Sequence, residues 1–517
     1  MIHGKSATYM GTQQIIVKSL GKKLSDSYRI GKKGVVVMPI TTGNRTKTLF
    51  NFAVVCLFMF GFRYLPPIGS ITPWGMQTIG IFIGVLYGWT VDSKIWPSLL
   101  GIVALGYLPD RTVFQTLGIS FTDNLVLTTL FMFCFSAIVE EVGLSKYVAN
   151  WCISRKFATG KPYIMLAMFC LAAWLVSSFV NLFASMLLLT IIFGKFCSQA
   201  GFKTGDKYPA YGAVAIVLAC TVGGGIFPFM GQSYVVNTVM EKTTGATMNF
   251  VMFTLIQIVF SIVTMGTFLA LLKFVVKPDV SLLLRDDDRF ACYRDDKMTG
   301  AQKQAVGLIA LLMVLLFLPG ILPVSWGITI WLKNLSVPGA AVLTLAVYYI
   351  INLGKEDVVP FPKLAAGINW DLIMMFATIA PLVAAVNAAE SNIMPFVVEQ
   401  LNGILDGMGP ITFIVVFFFI AMVVSQFVNN VAVVLAFMPV MFAFGQSLGI
   451  SPLVIAILAS YILNISFCTP TASGNAAYLF SFKEWISSGQ AFKAGLVIQI
   501  IAMLFTALGA PIIMALF

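Results

Sequence analysis

Long apolar stretches recur from Thr48 to the end of the chain, and they constrain the fold more than any other feature. A helix needs about 20 mostly apolar residues to cross a bilayer core some 30 Å thick. Every backbone N–H and C=O inside that core must be bonded internally, which leaves helices as the spanning elements for stretches of this length. Composition agrees: of 517 residues, 59% are hydrophobic and 10% charged, whereas a soluble domain carries about 25% charge. The expected fold class is an all-α polytopic membrane protein. Spans are predicted at 48–62, 70–90, 93–109, 122–142, 211–235, 249–273, 304–322, 337–353, 371–389, 452–478 and 493–516, eleven in all. Two further apolar stretches, 162–194 and 410–445, are too long for one crossing and short for two.

The basic residues set the topology. With the N-terminus cytoplasmic and each special stretch leaving on the side it entered, 28 of the 32 Lys and Arg fall on the inner side. Only Arg63, Arg111, Lys242 and Lys333 fall outside. An excess of this kind is the positive-inside pattern, and it makes the net charge of +11 a topology signal instead of a nucleic-acid patch. The C-terminus is then expected outside. The special stretches have polar centres: Ser177, Ser178 and Asn181 in one, Ser425, Gln426, Asn429 and Asn430 in the other. Irregular backbone at membrane depth is tolerated where it lines a cavity. The stretches therefore read as two re-entrant helical hairpins, one from each face.

Four segments follow: a basic cytoplasmic tail (1–47), a first transmembrane half (48–276), a cytoplasmic linker (277–303) with the solvated run Arg285–Arg289, and a second half (304–517). The tail lacks the apolar core of a signal peptide, and the absence of a recognisable transit peptide favours a bacterial plasma membrane. The halves match: Asp123 and Asp371 are 248 residues apart, Asn181 and Asn430 are 249 apart, and Cys220 and Cys468 are 248 apart. One hairpin enters from inside and the other from outside, so the structural repeat is inverted. Inverted repeats with paired broken helices mark secondary transporters, with the site at the repeat interface. Asp123 and Asp371 are expected to cap helix starts, and Glu140, Glu141 and Glu390 to anchor span ends.

Four polar clusters carry the expected chemistry. Two are the hairpin centres, Ser177–Asn181 and Ser425–Asn430. Two are breaks within spans: Gly223–Pro228 leading to Gly231, Gln232 and Ser233, and Cys468–Asn475, which contains Thr469, Pro470, Thr471 and Ser473. Pro and Gly inside a span free carbonyls that suit a hard cation, and the half-helix N-termini that result suit an anionic oxygen. Taken singly, such residues are ordinary interhelical glue; all four occur at mirrored places. No Lys or Arg lies in either hairpin, so an anion must be held by neutral donors and helix ends.

Other classes fit poorly. The eight cysteines (Cys56, Cys134, Cys152, Cys170, Cys197, Cys220, Cys292, Cys468) form no CxxC pair and His3 is the only histidine, which argues against a His/Cys metal site. An intramembrane enzyme needs a buried nucleophile–base pair, and a channel needs a charged ring or carbonyl filter. The sequence displays none of these.

The chain resembles the divalent anion:sodium symporter family, the sodium-coupled dicarboxylate, citrate and sulfate carriers of the ion transporter superfamily. The resemblance runs from residue 48 to the end and is carried by Ala137–Leu144, Asn369-Trp370-Asp371, Phe427–Ala432 ahead of Met438-Pro439, and Thr469-Pro470 ahead of Gly474-Asn475. The family has a Ser-Asn-Thr signature at each hairpin tip. Here the second falls on Asn429-Asn430-Val431 and the first, by the repeat, on Val180-Asn181-Leu182, so both central Asn are kept and all four hydroxyls are lost. The resemblance implies a carrier of small divalent anions (di- or tricarboxylates or sulfate), by Na⁺ symport or anion exchange, with no cofactor beyond Na⁺ as a coupling ion. It also implies a homodimer and an elevator-like motion. The substrate-binding expectation is Asn181, Asn429, Asn430, Ser178, Gly231, Thr469, Pro470, Thr471, Ser473 and Asn475. The Na⁺ expectation is Ser177, Asn181 and Gly224 in one half and Ser425, Asn430 and Ala472 in the other. Another superfamily branch, a cation/proton antiporter or a metalloid-oxyanion permease, is the alternative.

Overall fold

The structure, a computed structural model, describes residues 45–91, 94–284, 296–355, 358–405 and 407–517. Most of the basic tail and the linker run Arg285–Arg289 lie outside the described residues. The described residues form 21 α-helices and no strand. Helix α1 (Arg45–Cys56) lies in one unit of the chain, and Leu57–Phe517 form a second, compact unit.

In the second unit the first half contains α2 (Pro73–Val91), α3 (Ile95–Leu105), α4 (Val113–Phe121), α5 (Asn124–Glu141) and α6 (Leu144–Ile153). It continues with α7 (Pro162–Ser177), α8 (Leu182–Ala200), α9 (Lys207–Gly224), α10 (Gly231–Thr244) and α11 (Phe250–Leu271). The second half comprises α12 (Gly300–Ile321), α13 (Gly327–Ile351), α14 (Phe361–Ala366), α15 (Trp370–Asn387) and α16 (Ile393–Leu405). Helices α17 (Pro410–Ser425), α18 (Asn430–Ser447), α19 (Pro452–Ile462), α20 (Gly474–Ser481) and α21 (Ser488–Met514) complete it. Nine helices among the described residues are long and apolar enough to cross a membrane, the hairpin arms α8 and α18 included. Each of the eleven predicted spans falls on helix, and seven of them are among those nine; two others, 211–235 and 452–478, are each broken into a pair, α9/α10 and α19/α20.

Both special stretches are hairpins. Arm α7 turns into α8 over four residues, and α17 turns into α18 over another short non-helical tip. Proline at the first turn of α7 and α17 begins each hairpin, where its missing N–H costs nothing. An asparagine then starts each return arm. Asn181 Oδ1 accepts the N–H of Phe183 at 2.9 Å, and Asn429 Oδ1 accepts that of Val431 at 2.9 Å. The two caps share φ −54°.

Those caps correct the repeat. The mate of Asn181 is Asn429, 248 residues on, so the mate of Asn430 is Leu182. Spacings elsewhere agree: α7 and α17 start 248 apart, α6 and α16 249 apart, α4 and α14 248 apart. Cys220 and Cys468 are not mates, because Cys220 lies within α9 and Cys468 in the longer break between α19 and α20. Asp123 does cap α5, through the N–H of Leu125 at 3.0 Å. Asp371 does not cap α15; Asn369 takes that place, accepting from Leu372 at 3.2 Å, and puts Asp371 in the first turn. Four short helices (α4, α6, α14, α16) were not foreseen, being too short or too polar to read as spans. Helix α13 starts ten residues before the predicted 337 and kinks at Ser336, whose φ is +57°.

The packing shows the inversion. Helix α9 packs on its own hairpin, α7 and α8, whereas α10 packs on α18 of the other hairpin. In mirror fashion α20 reaches α8 through side chains: a Cβ built on Gly474 would come within 2.5 Å of Phe183 Cζ, and Tyr478 Oη meets Thr190 Oγ1 at 2.5 Å. Each broken span thus starts beside one hairpin and ends beside the other. The N-termini of α8 and α20 meet at Phe183 and Gly474.

Candidate functional site at the hairpin tips and helix breaks

The two breaks touch. Asn464 donates to Thr221 O at 2.9 Å, Asn475 donates to Thr221 Oγ1 at 2.9 Å, and a Cβ on Gly225 would meet Asn464 Nδ2 at 2.6 Å. Ser233 Oγ returns to Gly225 O at 2.9 Å, closing the first break over its own carbonyl. Buried amides and hydroxyls here satisfy backbone groups that the breaks release, as a low-dielectric interior requires.

Each tip is held to its own break. Ser178 Oγ reaches Trp174 O at 2.6 Å and Gly223 O at 3.2 Å. Ser177 Oγ points at the Cα of Gly223 so closely that a Cβ there would come within 2.4 Å of it. At the second tip Ser425 Oγ meets Ser466 Oγ at 3.0 Å. Gln426 Oε1 accepts the Cys468 N–H at 3.1 Å, its Nε2 donates to Met422 O at 2.9 Å, and its carbonyl accepts from Thr469 Oγ1. Gln426 belongs to the polar centre of the second tip and is not among the expected binding residues. Its repeat mate Ser178 is the signal that identifies its role, since both stitch tip to break.

The expected substrate residues divide accordingly. Asn181 and Asn429 spend their side-chain oxygens as caps. Ser473 caps α20 through Ala476 N–H at 3.1 Å and donates to Ser466 O at 2.8 Å. Asn475 is buried against Thr221, and Ala472 is buried with its N–H on Thr469 O at 3.2 Å. Thr469 and Thr471 share a 3.0 Å contact, and Pro470 and Thr471 are exposed beside them. Gly231 opens α10 at φ +53°, exposed, and no side chain caps that helix. Asn430 is 8% exposed, and its Oδ1 has no hydrogen-bond partner. Gln232 Nε2, one residue into α10, is likewise buried and unpaired.

For a coupling cation the two expected sets differ. In the first, Ser177 and Gly224 adjoin, for Ser177 O would stand 3.8 Å from a Cβ on Gly224, but the Asn181 oxygen is spent. In the second, Asn430 Oδ1 is a buried oxygen without a hydrogen-bond partner, whereas Ser425 Oγ is engaged by Met422 O and Ser466 Oγ. No group of three His, Cys, Asp or Glu that could hold a metal occurs among the described residues.

An inverted pair of hairpins and broken spans meeting at a polar centre defines a multi-span secondary transporter. A family model described as citrate transporter matches residues 84–463, and the chain belongs to that family, in line with the resemblance drawn from its motifs. An uncharacterized transporter of Synechocystis sp. is 25% identical over 169 residues, 32% of this chain and 24% of that protein. The chain thus spans about a quarter of the length of that curated relative. Among solved structures, the crystal structure of the Alcanivorax borkumensis YdaH transporter matches 85% of this chain and 98% of its own, with a TM-score of 0.51 and 14% identity. That likeness is one of fold alone.

Proposed function

We propose that the chain is a secondary carrier for small carboxylate anions, working by Na⁺ symport or by anion exchange. The observation that carries this reading is the pair of hairpin tips, each hydrogen-bonded to a helix break, in a chain of the citrate transporter family; Asn430, buried at the second tip, has an oxygen that no group in the protein satisfies. An unpaired buried amide oxygen costs about 1–3 kcal/mol, and a cation or a donor that completes it recovers that energy on binding. The citrate transporter family supports carboxylates as the anion class. Helix N-termini and neutral amides can hold a carboxylate without the cost of a buried Lys or Arg. A bound Na⁺ would supply compensating positive charge, and Asn430 Oδ1 is the unpaired side-chain oxygen that would face it. The same amide then offers its NH₂ to the anion and its oxygen to the cation, a direct physical basis for coupling.

The test is uptake of labelled citrate, succinate and a short monocarboxylate into proteoliposomes. An inward Na⁺ gradient is compared with unlabelled carboxylate trapped inside. Stimulation by the gradient makes the protein a symporter, and stimulation by internal substrate makes it an exchanger. Absence of uptake of every acid under both conditions overturns the carboxylate reading.

A further inference from the structure

The two broken spans end in different surroundings, and the difference bears on how the carrier cycles. Beyond its break the first span continues as α10 and the second as α20. From Ser233 to Met240 every residue of α10 is buried. In α20, Gly474, Ala477 and Ser481 are exposed, as are Pro470 and Thr471 in the break before it.

The neighbours account for this. Helix α15 packs on α3, α4 and α5, and α5 on α13 and α14, which makes one bundle. The hairpins pack with the broken spans, α11 and α21 as another. Helix α20 packs within that second bundle, on α9 and α21, and reaches α8 through Tyr478 and Thr190. Helix α10 packs across to the first bundle, on α5 and α15. Three side-chain contacts run along that seam. Tyr234 Oη meets Thr128 Oγ1 of α5 at 3.1 Å, and Lys242 Nζ pairs with Asp123 at the head of α5 at 2.6 Å. Asn387 Nδ2, at the end of α15, donates to Thr243 Oγ1 at 3.1 Å. Lys242 and Thr243 lie in the last turn of α10, on the side that the charge pattern places outside.

We infer that this structure is the carrier closed towards the outside, and that Lys242–Asp123 and Thr243–Asn387 form the latch that holds it closed. The inference rests on the carrier reading above, since in alternating access one bundle moves against the other around the site. A hydrogen bond is lost beyond about 3.5 Å, so a relative movement of a few ångströms parts both pairs. Withdrawal of α10 would open Asp123 and Lys242 to water, which leaves neither charge buried alone. On the opposite side α20 is bound to its own bundle, and the second break stays open at Pro470 and Thr471.

Labelling of Thr471→Cys by a membrane-impermeant maleimide tests this without any substrate. The full-length protein, in a cysteine-free background, is labelled in right-side-out and inside-out vesicles, and the inside-to-outside ratio of rates is recorded. In the otherwise unaltered protein the inside rate should be about tenfold the faster. Asp123→Asn with Lys242→Gln keeps the cap but removes the ion pair. It should lower the ratio about fivefold, slowing the inside rate while raising the outside rate. Thr243→Ala removes one hydrogen bond and should move the ratio the same way, which keeps the test valid if the charge variant does not fold. Lys242→Arg should leave it unchanged. Local loosening without a latch would raise both rates together, and that result overturns the inference. So does a ratio near one in the unaltered protein, an absence of labelling from both sides, or an unchanged ratio in the folded variants. None of these outcomes depends on the anion, so the carboxylate reading stands or falls on uptake alone.

Discussion

Asp123 is a carboxylate with two duties at the head of α5. It caps the helix through Leu125 N–H and pairs with Lys242 Nζ at 2.6 Å, its side chain 7% exposed and that of Lys242 30% exposed. Removing the lysine leaves the charge with the cap alone. Lys242→Met is expected to destabilise the protein by about 1–3 kcal/mol, seen as a lower midpoint of thermal unfolding. Asp123→Asn on that background should recover part of the loss, because Asn still caps and carries no charge. Cys152 is a second residue with a readable environment. Burial pushes its thiol up to about 11, with Arg155 opposing, and it sits in α6, outside the candidate spans. The thiol therefore stays protonated at neutral pH, and its alkylation at pH 8 should be slower than that of an ordinary cysteine by on the order of 100-fold. The rate should rise steeply towards pH 11, a profile that mass spectrometry of a time course would record. A flat pH profile would show that steric burial alone controls it.

The hairpins are elements whose tips depend on neighbouring backbone. Gly223 lets α9 approach so closely that an added Cβ would lie 2.4 Å from Ser177 Oγ and 2.5 Å from Trp174 O. Gly223→Ala is therefore expected to push the first tip off its break, at a cost of about 1–3 kcal/mol, with lower thermal stability and reduced uptake together. Gly266→Ala is the control, since nothing lies within 4 Å of a Cβ there; it should be neutral. Loss of a cap is a smaller effect. Asn181→Ala should cost about 0.5–2 kcal/mol, while Asn181→Ser, which keeps an acceptor, should cost little. The caps also mark what was legible in the sequence at this scale. Both hairpins, both breaks and the polar character of the tips were visible as interruptions of apolar runs. The pairing of Asn181 with Asn430 was not correct, because two adjacent asparagines offer two registers one residue apart. Only the cap geometry selects Asn429.

Across the whole molecule the side-chain contacts sort the helix ends into two sets. Glu141 pairs with Lys363 at 2.5 Å, Gln302 reaches Val142 O and Gly143 O at 3.3 and 3.4 Å, and Lys273 Nζ lies 5.9 Å from the Tyr163 ring centre. All of these residues fall in segments that the charge pattern places inside. Asp123 with Lys242, Thr72 with Glu390 O at 2.6 Å, and Asn387 with Thr243 at 3.1 Å join segments that it places outside. Gln446 and Ile450 at the base of the second hairpin share a cavity of about 270 Å³ with Met514 and Phe517, putting the chain end beside them. No contact among these mixes the two sets. We therefore expect Lys203→Cys and Tyr107→Cys, in a cysteine-free background, to be labelled by an impermeant maleimide from opposite sides of the membrane. The positive-inside distribution assigns Lys203 to the cytoplasm. Labelling of both from one side would refute the topology.

The sequence by itself determined the membrane class, the helical spans, the two hairpins and the inverted relation of the halves. These follow from the length of apolar runs, the side preference of Lys and Arg and the spacing of polar interruptions, all of which act locally along the chain. The short helices α4, α6, α14 and α16 left no such signal. Tertiary structure decided which polar groups are spent and which are free. Asn181, Asn429 and Ser473 look alike in sequence to Asn430, yet their oxygens or protons go to helix caps and carbonyls, whereas Asn430 Oδ1 finds no partner. A hydrogen bond depends on where a distant segment arrives, here the break that meets each tip, and no property of the residue alone records that.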